Sequence, residues 1–190
     1  MTGKPRAVVI GSSAGGMHAL RCVLADLGAD FPCPVVAVCH TGSDDMSTFC
    51  ELVGAHCALP VREARERERV VAGVVHVAPT GYHLLIEGDG RFALSVDERV
   101  AFARPAIDIL FETAATAFAA ELVGVVMTGA NSDGAAGLRR VRERGGIGIV
   151  QDPADAEVAT MPQSALDIAG ADFCLPLREI GPKLNRLCRV

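Results

Sequence analysis

The sequence predicts an α/β protein: a doubly wound, mostly parallel sheet with helices on both faces and a small antiparallel hairpin insertion. Three observations carry this. Runs at 7–10, 34–40, 121–129 and 147–151 are rich in valine and isoleucine and almost continuously apolar, as strands buried on both faces are. Segments with apolar residues at helical spacing alternate with them, and a repeated strand–helix order favours a parallel sheet. Residues 83–87 and 91–96 flank Gly88-Asp89-Gly90, a hairpin pattern inside the strand–helix alternation. The 190 residues contain no internal repeat and no linker, so they are read as one domain, 1–190, long enough for a single substantial core.

The first strand, 7–10, runs straight into Gly11-Ser12-Ser13-Ala14-Gly15-Gly16, and a helix follows over 17–24. A second buried strand, 34–40, ends on His40; a loop at 41–45 precedes a helix over 46–53. A short strand is expected at 60–63, and the interleaved arginines and glutamates of 62–69 read as a solvated loop or helix face. After a strand at 73–79 and the hairpin, a long helix opens at Arg104-Pro105-Ala106-Ile107 and reaches about Ala119. The third strong strand, 121–129, leads through the loop 130–134 into a helix over 135–144. A strand at 147–151, a helix near 163–169 and a closing helix at 184–188 complete the chain.

Composition narrows the function. Half the residues are apolar and 22% are charged, which is globular and not disordered; a net charge of −5 argues against nucleic acid as a partner. No run approaches the roughly 18 apolar residues of a membrane span, and the first residues do not read as a signal peptide. A cytoplasmic protein without membrane insertion is expected. Seven cysteines without a C-x-x-C pair read as reduced core residues. Cys39 precedes His40, but on a strand the two would point to opposite faces. The histidines are scattered without ligand spacing, so neither a metal nor a cofactor is expected.

The glycine turn carries the chemistry. Residues 11–15 spell G-x-S-x-G with Ser13 at the apex, a pattern that lifts a serine clear of a sheet beside helix-end amides. A phosphate-binding turn, or a serine serving only as a helix N-cap, are the plainer readings. The turn lacks G-x-G-x-x-G and no Walker lysine follows. Ser13, His40 and Asp133 each follow an apolar strand, and a parallel sheet gathers such residues at one edge. Serine as nucleophile, histidine as base and a carboxylate orienting the imidazole form one logic, whatever the chain order. Taken singly, His40 reads as a strand-end histidine, Asp133 as the N-cap of the helix after it, and Asn131 as a turn former. The order serine, histidine, acid departs from that of the α/β-hydrolases; Asp44 ahead of His76 would restore it, but His76 lies within a strand-like run.

Gly11-Ser12-Ser13-Ala14-Gly15-Gly16, Val38-Cys39-His40 and Thr128-Gly129-Ala130-Asn131-Ser132-Asp133-Gly134-Ala135-Ala136-Gly137 resemble the chemotaxis protein-glutamate methylesterase (CheB) family. Val77-Ala78-Pro79 with His83, Arg104-Pro105-Ala106-Ile107-Asp108-Ile109-Leu110-Phe111, and Gln151-Asp152 with Met161-Pro162-Gln163-Ser164-Ala165 extend the resemblance over nearly the whole chain. The resemblance implies a serine hydrolase acting on glutamate methyl esters, and in some members on glutamines, in the cytoplasmic helices of methyl-accepting chemoreceptors. It implies Ser13 as nucleophile, His40 as base, Asp133 as orienting acid, and the backbone N–H groups of Ala14 and Ala130 as oxyanion donors. The family's N-terminal receiver domain has no counterpart in these residues, so the expectation is a stand-alone esterase or a piece of something longer, its phosphorylation control absent or supplied by a separate receiver-domain regulator. Thr41-Gly42-Ser43-Asp44-Asp45 replaces the family's Met-Pro-Pro type loop, and Ala130-Asn131 replaces Met-Gly. The same triad on a different ester or amide, and a binding module without turnover, are the rival expectations.

Overall fold

The computed structural model describes residues 4–42 and 44–189. In chain order its elements are β1 (Ala7–Ser12), α1 (Gly16–Ala25), β2 (Val35–Cys39), α2 (Met46–Gly54), β3 (Val61–Glu63), β4 (Val75–Val77), β5 (His83–Ile86) and β6 (Phe92–Ser95). Then follow α3 (Ile107–Phe118), a 3-10 turn (Ala119–Glu121), β7 (Leu122–Val126), α4 (Ala135–Glu143), β8 (Ile147–Gln151), α5 (Thr160–Ala169), β9 (Phe173–Leu175) and α6 (Leu177–Cys188). Seven strands form one sheet in the order β3-β4-β2-β1-β7-β8-β9, and every adjacent pair is parallel. β5 and β6 pair antiparallel as a separate small sheet in the connection from β4 to α3.

Alternation along the strands divides the core. Val8 and Ile10 of β1 face α1, α2 and α6, whereas Ala7 and Val9 face α3, α4 and α5. Every residue of β1, β2 and β7 is buried, which is why these strands read as continuous apolar runs. From β1 the chain builds outward through β2 to β4 on one side, then returns to build from β7 to β9 on the other. The order reverses between β1 and β7, and beyond the carboxyl ends of strands at such a point a crevice opens.

Three expectations need correction. The last helix begins at Leu177, seven residues before the expected start at Leu184. Gly181 and Pro182 break its apolar periodicity, yet Gly181 is what lets α6 close on α1: a Cβ there would stand 2.6 Å from Cβ of Asp26 and 2.8 Å from O of Val23. Residues 173–175 form an edge strand that its three-residue length concealed. The cysteines are not uniformly core residues: Cys33, Cys39, Cys50 and Cys188 are buried, Cys22 and Cys57 half-buried, and Cys174 exposed.

Candidate active site

The turn after β1 sets the site. Gly15 is the N-cap of α1, in the left-handed region at φ 76°, and no side chain caps that helix, so neither Ser12 nor Ser13 serves as a cap. Ser12 is buried beneath the turn, while half-buried Ser13 lines a cavity of about 330 Å³ together with Cys39, His40 and Asn131. Main-chain bonds hold the serine: Ser13 N–H donates to Thr128 O at 2.9 Å, and Gly16 N–H to Ser13 O at 2.7 Å. The Thr128 hydroxyl donates to Ala14 O (2.9 Å) and accepts from Val158 N–H (2.9 Å). Gly129 leaves room for Ser13, because a Cβ on it would fall 2.9 Å from Cβ of Ser13 and 2.6 Å from Cε of Met161.

His40 lies one residue past β2, and its N–H donates to Ser12 O at 3.0 Å, which ties the two strand ends together. Its Nε2 stands 3.0 Å from Oδ2 of Asp133; the imidazole is 16% exposed and the carboxylate fully buried. The approach is close but off the hydrogen-bonding direction, so Nε2 lacks an aligned partner among the described residues. Cys39 and His40 line the same cavity, contrary to the expectation of opposite faces, because His40 has left the strand and its pleat.

Asp133 does not cap the helix after it. Gly134, at φ 93°, is the N-cap of α4, and Asp133 reaches instead to α3. Its Oδ2 accepts from Ile107 N–H at 2.7 Å and its Oδ1 from Asp108 N–H at 2.9 Å, so the carboxylate occupies the positive end of that helix. Asp108 reciprocates: its Oδ1 accepts from Gly134 N–H (3.0 Å) and Gly137 N–H (2.6 Å) of α4. The two helices therefore cap each other crosswise and fix Asp133 between them. Asn131 closes the preceding turn by accepting from Asp133 N–H at 3.1 Å, as a turn former should.

Burial pushes the Asp108 carboxyl up from 3.8 to about 6; the amides of Gly137 and Gly134 oppose the rise and the charge of Asp133 adds to it. The folded chain then holds this proton more tightly than the unfolded chain. Asp108 contributes stability below about pH 4 and loses it as pH climbs through 6. Both of its hydrogen bonds enter Oδ1, which asparagine retains, so Asp108→Asn should match or exceed the wild-type stability at pH 8 in urea titrations. Asp108→Ala, which strands two amides, should cost about 1–3 kcal/mol.

His83, buried, accepts from Ala106 N–H at Nδ1 (3.2 Å) and so donates from Nε2 to Glu98 O (2.9 Å), bracing the segment that forms the cavity's outer wall. Thr128 N–H donates to Oε1 of buried Gln151 (2.9 Å), anchoring the β7 end beneath Ser13. Sequence reasoning gave Asp108, His83 and Gln151 no role, although each stood in a stretch it had marked. His76 is core: it packs edge-on against Phe92 at 4.9 Å, and burial, with Arg62 adding, pushes it down to about 4. Ala14 and Ala130 are exposed neighbours of the cavity-lining Ser13 and Asn131, and among the described residues nothing accepts from their amides. In the replaced loop, Ser43 lies outside the described residues, and Asp45 caps α2 by accepting from Thr48 N–H (3.0 Å) and the Thr48 hydroxyl (2.6 Å).

The profile described as CheB methylesterase matches residues 8–184. The chain belongs to the CheB methylesterase family. A Leptospira interrogans protein, provisionally named protein-glutamate methylesterase/protein-glutamine glutaminase, is 45% identical over 181 residues, covering 95% of this chain and 94% of that one. Protein-glutamate methylesterase/protein-glutamine glutaminase 2 of Cupriavidus metallidurans is 42% identical over 184 residues; the match covers 97% of this chain but 54% of that longer protein. The crystal structure of the Thermotoga maritima CheB methylesterase catalytic domain superposes with a TM-score of 0.92 at 32% identity, covering 97% of this chain and all of that one. CheB family membership makes the chain a hydrolase, and the parallel sheet with its small antiparallel pair is the family's catalytic fold. Among the described residues no helix is long and apolar enough to cross a membrane.

Proposed function

We propose that this chain hydrolyses glutamate γ-methyl esters on the cytoplasmic helices of methyl-accepting chemoreceptors, releasing methanol, and that it deamidates glutamines at the same sites. The observation that supports this most is the His40–Asp133 approach of 3.0 Å beside the Ser13 cavity, at the point where the sheet's order reverses. Ser13 Oγ attacks the ester carbonyl and His40 takes its proton. Because Nε2 faces Asp133, Nδ1 is the nitrogen left for the serine, the reverse of the chymotrypsin arrangement. The N–H groups of Ala14 and Ala130 receive the developing oxyanion, each worth about 2.7–4 kcal/mol where such donors have been removed elsewhere. His40 returns the proton to the leaving methoxide, giving methanol and an acyl-enzyme. Water, deprotonated by His40, then releases the glutamate and restores Ser13.

Residues 1–190 act in this reading as one catalytic domain without a cofactor, in the cytoplasm. The test is vapour-phase methanol released from a methylated chemoreceptor cytoplasmic fragment. Release that scales with enzyme is expected; hydrolysis of a small ester with no release from the receptor would overturn the substrate assignment.

A further inference from the structure

The cavity's outer wall is the segment between β6 and α3, and at its tip Phe102 is 96% exposed, whereas Phe31, Phe92 and Phe111 are almost wholly buried. Ala101 and Phe102 both stand in the left-handed region, at φ 49° and 64°, which two consecutive non-glycine residues rarely adopt. The turn is held at several points. Val100 and Ala103 exchange both main-chain hydrogen bonds (3.1 and 2.9 Å), and Arg99 Nη1 donates to Phe102 O at 3.4 Å. Arg104 Nη1 donates to the carbonyls of Val96 (2.7 Å) and Asp97 (3.0 Å), while His83 grips that of Glu98. Backbone strain that its surroundings hold in place clusters at active sites and ligand clamps.

Its surroundings indicate what it meets. Next in the chain to the His83–Ser95 pair of the hairpin, Tyr82 (44% exposed) and Val96 (67%) are two further exposed apolar side chains, outside the cavity lining. Arg99 and Arg104 line the cavity: the Arg104 guanidinium is held by its own segment, its Nε buried, whereas the Arg99 side chain is exposed. The carboxylates of Asp97 and Glu98, also on this segment, are exposed and are not part of the lining. We infer that Phe102 is a substrate-docking residue that seats against the apolar face of a partner helix, while Arg99, exposed beside it on a turn that Arg104 braces, receives a carboxylate that flanks the scissile ester on that helix. This rests on the methylesterase reading above and names the residues that would make it selective for a glutamate-rich helix.

The test compares kcat/KM on a methylated chemoreceptor cytoplasmic fragment with kcat/KM on p-nitrophenyl acetate for the wild type, Phe102→Ala and Phe102→Leu. Phe102→Ala should lower the receptor value about 10-fold more than the small-ester value, chiefly through KM, and Phe102→Leu should restore most of it. Equal losses on the two substrates, or an unchanged receptor value, overturn the inference alone. A wild type that cleaves the small ester but releases no methanol from the receptor overturns the parent reading, and this one with it.

Discussion

Ser13→Ala should lower kcat for ester hydrolysis by about 10⁴–10⁶, as loss of the nucleophile does in other serine hydrolases, with no change in the urea midpoint. The fold has no stake in the hydroxyl. The bonds that hold the turn run through the Ser13 main chain, to Thr128 O and from Gly16 N–H, and alanine keeps both. Ser12→Ala is the companion measurement. Ser12 is buried, and its hydroxyl interacts with the Cys39 thiol rather than facing the cavity, so its removal should leave the rate within a few-fold. Inactivation by Ser12→Ala with Ser13→Ala active would place the nucleophile one residue earlier.

The second large effect is expected at Asp133, on activity and stability together. Asp133→Asn should reduce kcat by about 10⁴, by analogy with the orienting acid of other triads. Its carboxylate accepts from Ile107 N–H at Oδ2 and from Asp108 N–H at Oδ1, and the His40 ring lies 3.0 Å from Oδ2. An asparagine must turn its NH₂ toward one of those sides, where two donors meet. That loss should cost about 1–3 kcal/mol in urea titrations. Asp108→Asn, the same chemical change on the facing helix, should be tolerated because Oδ1 alone accepts there. Should Asp133→Asn retain activity within ten-fold and full stability, neither the orienting role nor the crosswise cap would stand.

Which parts of this were legible in the sequence follows from the range of the interactions. Continuous apolar runs marked β1, β2, β7 and β8 because burial on both faces removes the polar alternation, and that fixed the fold class. Placement just past buried strands brought His40 and Asp133 together on paper, and the structure holds them 3.0 Å apart. The crosswise caps were not legible. Asp133 reaches 26 residues back to Ile107, and Asp108 reaches Gly137 across 29, whereas capping rules look only three residues along the chain. The first two turns of α6 were hidden by Gly181-Pro182, of which Gly181 permits the close packing on α1. The strained turn at Ala101-Phe102 leaves no sequence mark, since neither residue is a glycine and the posture depends on Arg99, Arg104 and His83 elsewhere.

The most direct measurement is peptide mass mapping of the wild-type chain after treatment with a serine-directed fluorophosphonate, with ester hydrolysis followed in the same tube. The account predicts one adduct per chain, on the Ser13 hydroxyl, appearing in step with the loss of activity. Ester hydrolysis that continues with Ser13 unlabelled, or inactivation with the adduct on another residue, would contradict it.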